Sequence, residues 1–118
     1  METPKGVRGW IKKLRTAEKS SRDPEKVMAL VMGAIEREGV RDDRLLSFAV
    51  KSLARLGRLD LSLRVNEMRD RLLEDGELEK HDPTTTAGLV VACCRSPDRH
   101  QEAEELAGAL LVQTTLSG

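Results

Sequence analysis

Cys93 and Cys94, followed closely by His100, are the side chains of this sequence whose types would suit a metal site or a nucleophile. Successive residues of a helix project about 100° apart, so two adjacent thiols do not readily face one ion. The apolar run around them points instead to buried, unreactive thiols. His81 and His100 fall in polar turns, and no Ser, Cys or acid stands at the spacing of a catalytic triad or of a zinc-protease helix. Glu36 with Glu38, and Glu102 with Glu104 and Glu105, belong to solvated helix faces rather than to an acid and base pair. Gly6 and Gly9 lack the preceding strand and the Lys-Ser/Thr that a phosphate loop requires. The chain is therefore read as a non-enzyme: catalytic, metal and cofactor residues are none, and no small-molecule substrate is implied.

The basic residues offer a different chemistry. One group, Lys12, Lys13, Arg15, Lys19 and Arg22, lies near the N-terminus, and a second, Lys51, Arg55, Arg58 and Arg64, surrounds the middle of the chain. Either could clamp phosphates or the acidic rim of a protein partner. Either could also serve solubility, with acids such as Asp60 and Glu67 close by for pairing. Lys and Arg number 20 and Asp and Glu number 20, so no whole-molecule field draws the chain to nucleic acid or an anionic membrane. Any such contact must be local. With no Tyr and only Trp10 and Phe48 as aromatics, platforms for stacking bases are scarce. Trp10, Phe48, Met28 and Met32 are instead assigned to core or to a protein interface, the methionines chiefly as gap-filling core.

These side chains must be positioned by helices. Val7, Trp10, Ile11, Leu14 and Ala17 form one apolar stripe, and Val27, Leu30, Val31, Ala34 and Ile35 a second. Leu46, Ala49, Val50 and Leu53 form a third, and Leu61, Val65, Met68 and Leu72 a fourth. The run from Ala87 to Cys94 is apolar nearly all round and reads as a helix packed between neighbours. Ala103, Leu106, Ala107, Leu110 and Leu111 close the series. Asp23-Pro24 and Asp82-Pro83 each place a capping carboxylate before a proline at the first helical position. Asp42 and Asp43 start the third helix, and Asp98 with Gln101 suggests a reciprocal cap. Gly39, Gly57 and Gly76 stop helices two to four, since glycine enters the left-handed conformation that closes a helix. Residues 1–6 carry no pattern and are expected to fray.

Six such segments, taken in pairs, repeat one internal order: apolar helix, short polar turn, amphipathic helix. The central pair, with Gly39-Val40-Arg41-Asp42, Leu45 to Leu53, the turn Ala54-Arg55-Leu56-Gly57-Arg58-Leu59-Asp60, and Glu67-Met68, resembles the pentatricopeptide repeat. Tetratricopeptide-like packing is the close alternative. The resemblance implies an all-α, right-handed solenoid of about three antiparallel hairpins, with repeats at 7–42, 43–82 and 83–118. It departs from the family in that Arg41 stands where Pro precedes Asp, and Val27 and Ser62 stand where a small Ala is usual.

The resemblance also implies that one RNA base would be read by the fifth residue of a repeat's first helix with the last residue of that repeat. Carried onto this sequence, the pairs are Ile11 with Asp42 and Ser47 with Asp82, while Ala87 takes the first place in the third repeat. Only Ser47 and Asp82 form a polar pair able to make base-edge hydrogen bonds. The expected function is accordingly a protein-interaction module, an accessory or assembly subunit of a larger mitochondrial or plastid complex. The alternative is an organellar RNA-binding protein that uses Ser47, Asp82 and the basic groups. No apolar stretch approaches the roughly 20 residues needed to span a bilayer. Two adjacent cysteines make no disulfide framework and point to a reducing compartment.

Overall fold

The computed structural model describes residues 6–78 and 82–117, and every regular element among them is helical. Helix α1 runs Gly6–Thr16, α2 Pro24–Glu36, α3 Asp43–Arg55, α4 Leu59–Glu74, α5 Pro83–Cys94 and α6 His100–Ser117. A π-helical segment, Ala17–Ser21, extends α1, and a 3-10 turn, Pro97–Arg99, precedes α6. The expectations for residues 1–5 and for His81 lie outside the described residues.

The helix starts follow from their aspartates. The Asp23 carboxylate accepts the Glu25 N–H at 3.0 Å, Asp42 accepts that of Arg44 at 2.9 Å, and Asp82 accepts that of Thr84 at 3.0 Å. Each bond satisfies one of the backbone donors a helix leaves open. The ends follow from glycine. Gly57 sits at φ +79° while the Arg58 N–H reaches back to the Leu53 carbonyl at 3.0 Å, and Gly76 at φ +74° lets the Glu77 N–H reach Leu72 at 2.9 Å. Helix α2 ends at Glu36, and Gly39 at φ +64° lets the Val40 N–H reach back to the Ala34 carbonyl at 2.9 Å, while the Arg41 guanidinium donates to the Ile35 carbonyl at 2.9 Å. The Asp98–Gln101 cap does not form: Gln101 donates to Glu105 at 3.3 Å.

The chain divides into two compact units, Met1–His81 and Asp82–Gly118. In the first, α3 is central, packing on α1 and α2 as well as on α4. Leu14, Val27, Val31, Leu45, Leu46, Leu53 and Val65 are fully buried there. Each contributes about 1.5–3 kcal/mol of hydrophobic stabilisation. The expected third stripe is buried throughout, whereas α4 is rotated from its expected face. Leu61 and Val65 are buried, but their buried companions are Ser62, Asn66 and Arg69, while Met68 and Leu72 are only half-buried.

Polar partners on α3 account for that rotation. The Arg69 guanidinium forms a two-pronged ion pair with Asp43, its Nε bonding Oδ1 and its Nη2 reaching Oδ2 at 3.3 Å. Its Nη1 donates to Asn66 Oδ1 at 3.1 Å, and the Ser47 hydroxyl donates to Asp43 Oδ2 at 3.2 Å. Ser62 donates to the Val50 carbonyl at 2.6 Å. A charge enters a core only when paired and hydrogen-bonded, and here both conditions hold.

In the second unit α5 packs on α6. Thr85, Thr86, Leu89 and Cys93 are buried, yet Val91 is 49% exposed and Cys94 is exposed, so α5 has an open side that its apolar composition did not announce. Burial raises the Cys93 thiol above its ordinary pKa and keeps it protonated. Among the described residues no helix is long and apolar enough to cross a membrane.

Candidate functional site

The start of the first unit holds a cleft with capacity to bind. Beyond Thr16 the backbone widens into the π-helical segment, and Arg22 then takes a left-handed conformation at φ +48°, its N–H returning to the Ala17 carbonyl at 3.1 Å. This reversal brings α2 back beside α1 and opens a cleft of about 570 Å³ between them. Gly9, Ala17 and Leu30 supply apolar wall, Thr16, Ser20 and Ser21 supply hydroxyls, and Lys12, Lys13 and Lys26 supply charge. A second cleft of about 300 Å³ shares Lys26 and Leu30 with the first and continues along α2 past Ala29, Met32 and Gly33 to Glu36 and Arg37.

The electrostatics of this region follow from which charges are already satisfied. Glu18 is held by Arg55 at 2.7 Å, and that guanidinium keeps its carboxyl below the ordinary pKa. Glu25 is held by Arg58 at 2.8 Å, and the same Arg58 holds Asp60 at 3.1 Å, lowering the Asp60 carboxyl to about 2. Glu18 and Glu25 are thus engaged with arginines, and no acid lines the larger cleft. Lys26 donates to the Ser21 hydroxyl at 3.4 Å, Lys13 sits 5.7 Å from the Trp10 ring centroid, and among the described residues no ion pair reaches Lys12, Lys13 or Lys26.

The residues singled out in the sequence therefore separate. Lys12 and Lys13 converge with Lys26, which sequence reasoning missed, although the Asp23-Pro24 helix start foretells a chain reversal that would bring it beside them. Arg15 and Arg55 lie over the Phe48 ring at 5.6 and 5.7 Å, so Phe48 is half-buried between cations rather than offered as a stacking platform. Arg58 is committed to its two acids, whereas Lys19, Arg22 and Lys51 are exposed and lie away from the cleft lining. Trp10 is core, 7% exposed. Met28 and Met32 are half-buried, and Met32 lines the smaller cleft.

The proposed base-reading residues are engaged within their own units. Ser47 is buried, with its hydroxyl on Asp43, and the Asp82 carboxylate accepts from both the backbone N–H and, at 2.6 Å, the hydroxyl of Thr84. Asp42, named with the half-buried Ile11, is held by Arg44 at 2.8 Å. Among the described residues no three His, Cys, Asp or Glu side chains come together as a metal site. Compared with known proteins, the chain matches no protein-family model, no curated protein and no solved structure.

Proposed function

We propose that this chain is a helical-repeat module of the solenoid kind whose work is to bind another protein, as an accessory or assembly subunit of a larger organellar complex. The observation that carries this reading is the cleft between α1 and α2, where lysines with no ion pair among the described residues stand beside apolar wall while Glu18 and Glu25 are bound elsewhere. Such a surface combines area to bury with charge to select, the two requirements of a protein interface. The half-buried Leu30, Met28 and Met32 add adaptable apolar area.

The RNA-binding reading has less support. Ser47 lies in the core, Arg55 and Arg58 are neutralised, and neither aromatic ring is open for stacking. Purification of the tagged full chain from organelles, with and without nuclease, tests the choice. A nuclease-resistant polypeptide in constant ratio to the chain is expected. An associated RNA whose binding weakens steeply with salt, in the manner of phosphate contacts, would instead establish the alternative.

A further inference from the structure

We infer that the α1–α2 cleft receives an acidic amphipathic helix from the partner protein. This rests on the protein-binding reading above and deepens it by naming the partner's chemistry. Charge supplies the first argument: Lys12, Lys13 and Lys26 converge on a cleft with no lining acid, and Glu18 and Glu25 are held by Arg55 and Arg58. A ligand that completes this site brings carboxylates.

Shape supplies the second. The two clefts meet at Lys26 and Leu30 and together follow α2 from Lys26 to Arg37, a length of roughly 17 Å at 1.5 Å per residue. A surface about three helical turns long, with apolar lining at Ala29, Leu30, Met32 and Gly33 between charged ends, suits a helix laid along it with side chains at i, i+3, i+4 and i+7 directed inward. Ala17 and Leu30 offer that wall, and Gly33 widens it: a Cβ built there meets no atom within 4 Å. A nucleic acid would leave the apolar wall without a counterpart. An acidic helix fills both the wall and the lysine rim.

The test is titration of the full chain into a fluorescent synthetic helix of about 18 residues, with leucines on one face and glutamates flanking them, at about 50 mM salt. Saturable one-to-one binding is expected, and a matched helix with lysines in place of glutamates should not bind. The triple variant Lys12→Glu, Lys13→Glu, Lys26→Glu should weaken binding at least about tenfold. Gly33→Trp should do the same by filling the groove with the charges intact. All four substituted positions are exposed or half-buried, and far-UV circular dichroism and the melting midpoint verify that both variants stay folded.

Absence of binding, or equal binding by all variants, overturns the proposal. So does preferential binding of phosphatidylglycerol vesicles or single-stranded RNA, or a concentration-dependent self-association that the lysine variant abolishes. Preferential RNA binding would overturn the broader reading as well, whereas the other results leave it standing. Nuclease-resistant capture of a polypeptide that persists in the triple variant would retain the interaction module while removing the cleft and the acidic helix from it.

Discussion

Arg69 is the side chain on which the first unit's packing turns, being completely buried and neutralised by Asp43 across α3 and α4. Removal of one partner from a buried ion pair leaves an uncompensated charge, so Asp43→Ala should cost about 3–5 kcal/mol in urea unfolding. The double variant Asp43→Leu, Arg69→Met should cost less than that single change, because it removes both charges. The glycines separate by conformation. Gly57→Ala, at φ +79°, should destabilise by about 1–2 kcal/mol. Gly33→Ala, in a helix with open space before it, should stabilise by about 0.4–1 kcal/mol. Asp60 sets a pH dependence. Its carboxyl is lowered from 3.8 to about 2 by Arg58, so the stability it lends is present above its unfolded pKa and is lost as pH falls through about 2. Asp60→Asn should therefore flatten the decline in urea midpoint between pH 4 and pH 2 relative to the parent chain.

At the scale of the elements, the stripes of α1, α2 and α3, the three capping aspartates and the stopping glycines were all legible, because each rests on local spacing or on one residue's backbone preference. What was not legible depends on groups distant in sequence. The fourth stripe was drawn through Leu61, Val65, Met68 and Leu72, but α4 turns toward Ser62, Asn66 and Arg69 because Asp43 and the Val50 carbonyl await them. Two acids at the start of α3, where one suffices as a cap, were the available signal. The cleft was half legible: Lys12 and Lys13 were found, and Lys26 was not, since it joins them only through the π segment and the reversal at Arg22. That reversal forces a non-glycine residue to positive φ, which costs about 1–2 kcal/mol. Arg22→Gly should thus raise the melting midpoint of the first unit rather than lower it, as calorimetry would register.

Across the whole molecule, formal neutrality conceals an unequal distribution of charge. Among the described residues Arg41, Arg44, Arg55, Arg58, Arg69 and Arg99 are paired with acids, whereas the three lysines of the cleft have no ion pair. Exposed pairs of this kind add little stability, typically below about 1 kcal/mol each. Their larger effect is to withdraw Glu18 and Glu25 from the cleft and leave its rim cationic. Most direct as a test is zero-length carbodiimide coupling of the full chain within its native assembly, followed by peptide mass spectrometry, because that chemistry joins an amine only to a carboxylate in contact with it. Coupling of Lys12, Lys13 or Lys26 to aspartates or glutamates within one helical stretch of another polypeptide is the expected result. Coupling confined to lysines outside the cleft, with these three left unmodified, would contradict it.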